Sequence, residues 1–317
     1  MKQVHRAFHK AEVAVQERLG FAERMSNVGA SFIRPYMPEQ HRAFFQSLSM
    51  LMLGLSDKHG WPCALPVFSD PGFISSPTNQ ELKVSALPSA LEALDCVLAQ
   101  GEKVATLGID LSSRRRNRMN GLVSNRDTEG FSIAVEQSFG NCPKYIQTQA
   151  LTVKAMHSKL KQEISSSLSG LDEQARWFIS QAFSFYIASR TDEFNDQENT
   201  GLDISHRGGK LGFVKAQANT LLFPDFSGNR FYNTLGNIES DSRVALLFPD
   251  FQKSRALHVQ GRAKIHWQHT ALESFVGAER IIEVHVQKST YLDLAATGEL
   301  MEYSPALDKT GHWPDGN

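Results

Sequence analysis

Apolar and polar positions alternate in short runs along most of the chain, and Gly, Pro, Asn and Asp separate the runs. A period of two with turn residues at the breaks predicts antiparallel strands. In the first half these are PCALPVF, GFISS, ELKVSA, VATLGID, NGLVSN and FSIAVEQ, between residues 62 and 137. The run from Leu48 to Leu55, broken by Ser49 and Gly54, reads as a further buried strand. Helix signals are sparser. Residues 1–38 read as a helical leader. SALEALDCVLAQGE and YNTLGNIESD are helix-capable pieces lying between the strands. Strand runs around one short helix predict a small closed or half-open barrel.

The pattern occurs twice. A segment beginning at Gly60 resembles one beginning at Gly201, and the matched pairs within them lie 140 positions apart. Gly72 falls on Gly212, Phe73 on Phe213, Leu82 on Leu222 and Val104 on Val244. Asp110 falls on Asp250, Arg115 on Arg255 and Gly121 on Gly261. Upstream, EQHRAFFQSLSMLMLGLSD from Glu39 resembles DEQARWFISQAFSFYIASRTD from Asp172, each reading as a short helix followed by a strand. An internal repeat of this kind sets the organisation of the chain. The expected division is a leader over 1–38, a first barrel over 39–149, a linker over 150–171, a second barrel over 172–295 and a loosely held tail over 296–317. The first half of the linker is helix-capable, and SSSLSG ends it.

Composition narrows the function. The 317 residues are 41% apolar and 21% charged, which is a globular composition. Lys and Arg (33) nearly cancel Asp and Glu (34), so no global charge favours nucleic acid or an anionic membrane. No apolar run reaches the ~20 residues a spanning helix needs. Three cysteines without a CxxC pair argue for a reducing, cytoplasmic setting and against a zinc site. Dinucleotide, P-loop, zincin and nucleophile-elbow motifs are absent, so no catalytic residue announces itself.

The candidate chemistry lies where the repeats diverge. The second carries SHRGGKLGF, with His206, Arg207 and Lys210, and then FSGNRFYNTLGN, with Ser227, Asn229, Arg230, Asn233 and Thr234. In the first repeat the matched stretches hold no such cluster. Arginine forks, a lysine, hydroxyls and a helix N-terminus are what a phosphate monoester needs. A plain turn with a solvated Arg230, and an exposed hairpin at HRGGK, are the alternative readings. The first repeat has its own run, SSRRRNRMNG. On a strand, Arg114, Arg116 and Arg118 would face one way, and Arg115, Asn117 and Met119 the other. That run is an exposed basic hairpin, an RNA-facing patch or, if the two barrels pack as a pseudo-dimer, a set of arginines reaching a ligand held by the second repeat.

SHRGGKLGFV, TLLFPDFSGNRFYNTLGNI, SRVALLFPDF and LHVQGRAKI resemble flavin-nucleotide-binding proteins related to pyridoxamine 5′-phosphate oxidase, and RRRNRMNG and FGNCPKYI are similar to segments of their tandem members. The resemblance spans roughly residues 5–295. It implies a mainly β fold of two tandem FMN-binding split barrels, six-stranded antiparallel Greek keys, with FMN between them. Arg207, Lys210, Ser227, Asn229 and Arg230 would then take the phosphate, with His206, Asn233 and Thr234 beside them. Gln260 would face the flavin ring or ribityl chain, and Arg115, Arg116 and Asn120 would join from the first barrel. The implied activity is that of an FMN-dependent oxidoreductase with an unidentified small-molecule substrate or electron donor. A non-catalytic flavin carrier or sensor, and a haem-binding barrel, are the alternatives, and assembly to a homodimer is open. The tail LAATGELMEYSPALDKTGHWPDGN does not match the oxidase's substrate-binding segment, which argues against pyridoxamine phosphate oxidation itself.

Overall fold

A computed structural model describes residues 7–154, 167–194 and 197–314. Among these residues are two large antiparallel sheets with one strand order, and a separate two-stranded sheet. Across the first sheet the strands are Pro62–Phe68, Met50–Asp57, Lys103–Asp110, Arg115–Arg126, Phe131–Gly140, Glu81–Val84 and Ile74–Ser75. Across the second they are Leu202–Gly208, Ser184–Arg190, Arg243–Asp250, Arg255–His266, Ala278–Asp293, Thr220–Phe226 and Lys215–Gln217. Each sheet has eight strands, six main ones plus two short partners, Ile74–Ser75 and Cys96–Val97 in the first and Lys215–Gln217 and Ser167–Ser169 in the second, the split-barrel architecture that the resemblance implies. Even the irregularities coincide. A bulge follows Asn120 in one sheet and Gln260 in the other. The next residue is glycine in both, because a Cβ there would sit 2.0 Å from the Ala134 carbonyl oxygen at Gly121 and 2.4 Å from that of His285 at Gly261.

The barrels pack reciprocally. Pro62–Phe68 of the first lies against Arg243–Asp250 of the second, and Leu202–Gly208 of the second lies against Lys103–Asp110 of the first. Met50–Asp57 and Ser184–Arg190, central to this contact, are apolar along most of their length because neighbours cover both faces. One apolar cluster crosses the junction, joining Leu51, Leu53 and Leu107 to Tyr186, Ile204 and Leu247. Gly54 permits the approach, since a Cβ there would already lie 3.3 Å from Ala105 and 3.4 Å from Ile204.

Among the described residues five α-helices decorate the sheets: α1 (Lys10–Arg18), α2 (Ala22–Phe32), α3 (Glu39–Gln46), α4 (Glu173–Ser180) and α5 (Asn233–Ser240). Helices α3 and α4 occupy matching places before the first strand of each barrel, and each places a phenylalanine under an arginine. Arg115 lies 4.4 Å from the Phe44 ring centre, and Arg255 lies 5.0 Å from that of Phe178. None of the helices is long and apolar enough to cross a membrane.

Four expectations need correction. Leu82 pairs with Ile133, and the corresponding pair in the second barrel is Leu221 with Val284, so Leu82 matches Leu221 rather than Leu222. SALEALDCVLAQGE forms turns and the short strand Cys96–Val97 rather than a helix. Residues 150–153, expected to begin a helix, belong to the strand Thr148–Val153, while the rest of that expected helix lies outside the described residues. The tail is tied down: Ala296–Glu302 pairs with Thr148–Val153, and Trp313 is buried against Phe275.

Candidate functional site at the junction of the barrels

Alternation along Arg115–Arg126 aims its arginines as the strand period requires. Arg115 turns to α3, where its guanidinium donates to the Gln40 carbonyl at 2.9 Å. Arg116 and Arg118 turn to the second barrel. Arg116 donates to the carbonyls of Cys142 (2.8 Å) and His206 (3.3 Å). Among the described residues it forms no ion pair. Burial, and then the cations Arg118 and Arg207, push its pKa down to about 9, so it stays charged at neutral pH. Arg118 meets Asp203 at 2.7 Å and donates to Ser205 Oγ (2.6 Å) and Asn233 Oδ1 (3.0 Å). Thr234 Oγ1 is 3.0 Å from Ser205 Oγ. Arg118, Ser205, Asn233 and Thr234 thus converge on the first turn of α5, whose N-cap, Tyr232, offers no side-chain hydrogen bond.

Beside this buried cradle opens a cleft of about 540 Å³. Arg114, Arg115, Arg116, Asn117, Asn141 and Asn229 line it, with Phe32 and Phe231 as aromatic walls. Its lining contains no acidic side chain. Asn117 Nδ2 and Asn141 Oδ1 are buried there without a hydrogen-bond partner among the described residues. Unpaired buried amides are costly unless a ligand or water satisfies them.

The other residues singled out in the sequence lie around this junction in different settings. Arg207 pairs with Asp225 at 3.4 Å. Arg230 lies 4.0 Å from the Phe21 ring centre and 3.8 Å from Glu279. Lys210 donates to the Thr310 carbonyl at 2.8 Å, in the tail. His206 is buried, and burial, with Arg116 and Arg207 nearby, holds its pKa well below the usual range. Tyr145 ties the HRGGK stretch to the SGN turn: a Cβ on Gly208 would fall 1.9 Å from its carbonyl oxygen, and its hydroxyl donates to the Ser227 carbonyl at 3.3 Å. Asn120 lines a small polar cavity with His9, Glu12 and Lys103. Gln260 does not face this cleft. Its amide donates to the Pro62 carbonyl at 3.0 Å, at the opposite junction. Arg118, Ser205 and Asn141 were missed as site residues. For Arg118 the signal existed, because it shares Arg116's strand face.

The opposite junction is built from the matching strands with different chemistry. Register places Ala256, Leu257 and His258 where the first barrel has Arg116, Asn117 and Arg118. It places Leu292 where the first barrel has Asn141. Leu65 and Cys63 stand in for Ser205 and Asp203. His258 accepts from the Ala64 amide at 3.2 Å, and burial lowers its pKa to about 3, so it is neutral. One junction presents arginines and amides at these positions, and the other presents Ala256, Leu257, Leu292 and a neutral His258.

Neighbours of this chain among solved structures are pyridoxamine 5′-phosphate oxidase-like proteins. A candidate pyridoxamine 5′-phosphate oxidase from Lactobacillus delbrueckii is 16% identical, with 38% of this chain and 93% of that chain covered and a TM-score of 0.29. An FMN-binding protein from Syntrophomonas wolfei is 12% identical, covering 38% and 86%, with a TM-score of 0.29. The FAD-binding protein from Mycobacterium smegmatis is 14% identical, covering 41% and 97%, with a TM-score of 0.25. No family model and no curated protein matches the chain.

Proposed function

We propose that this protein binds a flavin nucleotide, FMN, at the cationic junction and acts as an FMN-dependent oxidoreductase. The observation that carries this reading is the contrast between the junctions. Of two junctions set up by matching strands, one holds Arg116, Asn117, Arg118 and Asn141, and the other holds Ala256, Leu257, His258 and Leu292 at the matched positions. The donor set fits the group. A flavin nucleotide is a planar aromatic with an anionic tail, and the cleft offers three arginines, no carboxylate, two unsatisfied amides and aromatic walls. At the start of α5, next to that cleft, Asn233, Thr234, Ser205 and Arg118 suit the phosphate, with Arg118 there paired to Asp203 and Asn233 bonded to Glu12. Arg115, Arg116 and Asn229 suit the remainder of the molecule.

When bound, FMN supplies hydride or electron acceptance, and the chain contributes binding, orientation and local positive charge. Arg116, bonded to carbonyls alone, keeps its positive charge available to stabilise an anionic ligand. Two barrels of one strand order in one chain are the product expected of internal duplication, followed by loss of the site at one junction.

An absorption spectrum of the purified protein, with titrations of FMN and riboflavin, tests the reading. The expected result is a flavin spectrum and tighter binding of FMN than of riboflavin. A haem Soret band without flavin, or no uptake of either flavin, overturns it.

A further inference from the structure

The cradle at the start of α5 is closed from inside the chain. Helix α1 lies against α5 so tightly that a Cβ on Gly236 would come within 2.7 Å of the Glu12 backbone. Glu12 is buried, with 4% of its surface exposed. Its carboxylate accepts from Asn233 Nδ2, on the first residue of α5, and from the His9 amide at 2.8 Å. Further bonds hold the segment: His9 Nε2 lies 2.9 Å from Asn237 Oδ1, and Gln16 donates to the Phe231 carbonyl at 3.2 Å. The cradle therefore already contains two carboxylates, Asp203 on Arg118 and Glu12 on Asn233. Two carboxyl groups thus stand on Arg118 and Asn233, where the oxygens of a phosphate monoester would bind. Arg118 Nε is left buried and unpartnered beside them among the described residues.

We infer that α1 is an intramolecular plug, in which Glu12 occupies the place of an anionic ligand, and that a phosphate-bearing ligand must displace it to reach the cradle. The inference rests on the flavin reading for the identity of that ligand, and it adds a control on access. Burial disfavours the charged form of Glu12, with Asp203 adding repulsion, while His9 and Asn233 offset part of that cost. A plug held on such terms is displaceable. Ligand affinity is then reduced by the fraction of molecules in which α1 is docked.

The experiment follows hydrogen exchange of residues 10–18 in the full chain, with and without FMN, riboflavin and inorganic phosphate. It also compares FMN affinity of the native protein with that of Glu12→Ala and of Gly236→Ala, the latter leaving Glu12 intact but pushing α1 off. The plug predicts that FMN, but not riboflavin, raises exchange in α1. It also predicts that both variants bind FMN about tenfold more tightly with riboflavin unchanged. FMN binding that leaves α1 protected overturns the plug while the flavin reading stands. Phosphate raising α1 exchange in a protein that takes no flavin upholds the plug and sinks the flavin reading. Neither ligand raising it sinks the plug.

Discussion

The Arg118 guanidinium meets the Asp203 carboxylate at 2.7 Å across the junction of the two barrels, with both side chains at least 95% buried. Such a pair is not a dependable source of stability, because desolvation offsets much of the attraction. Breaking it is another matter. Arg118→Ala leaves Asp203 buried and uncompensated, and the expected cost is about 3–5 kcal/mol in urea unfolding. Asp203→Ala together with Arg118→Ala should cost less than the sum of the single changes, which a double-mutant cycle measures.

Arg116 and Ala256 hold matching positions, as do Arg115 and Arg255, so the second barrel supplies an internal control. Arg116→Ala should weaken FMN binding by about 1.5–3 kcal/mol, roughly 10- to 150-fold, because it removes a charge-assisted contact. Arg255→Ala should leave FMN affinity unchanged. Fluorescence titration of both variants decides the matter. Equal losses would remove the functional distinction between the junctions.

Acid should unfold the protein through its buried histidines. Burial comes first among the causes at all three, with cations adding to it. His41 falls to about 4 beside Arg34 and Arg115, His258 to about 3 near Lys288, and His206 well below its ordinary value. An unfolded histidine titrates near 6.5, so below that pH the unfolded chain binds protons that the folded chain refuses. Stability present above pH 6.5 is therefore lost as pH falls toward 4 and then 3, with His41 contributing on the order of 3 kcal/mol. Thermal melts between pH 7.5 and 4 should show a steep decline, flattened in His258→Gln.

Gly208→Ala tests the Tyr145 bridge. The added Cβ would lie 1.9 Å from the Tyr145 carbonyl oxygen, a backbone atom with little freedom to move. A loss of about 1–3 kcal/mol is expected in thermal unfolding. Gly228→Ala, with open space around it, should cost far less.

The strands could be read in advance because their period of two and their turn residues are local properties. Pro62–Phe68 and Lys103–Asp110 lie where the pattern puts them. The stretch after the fourth strand of the first barrel could not. Its helical periodicity gives way to burial of Ala90, Leu94 and Leu98, and Asp95 takes a φ of 54°, which breaks a helical path. The strand Ala296–Glu302 escaped because its partner, Thr148–Val153, lies far away in sequence. In the site, the facing of Arg116 and Arg118 followed from alternation alone. The role of Lys210 did not, since its bond to Thr310 depends on where the tail runs. Glu12 was invisible for the same reason: a capping glutamate in a leader helix says nothing about which surface the helix will cover.

The unlikeness of the two junctions is available to a single polypeptide and closed to a dimer of identical chains. In an assembly of two identical subunits about a dyad, each interface residue appears in both grooves, so a change that seals one seals the other. Here Arg116 and Ala256 are separate codons. One groove can be given over to adhesion while its counterpart keeps its polar lining, and the pairing of the halves survives any dilution.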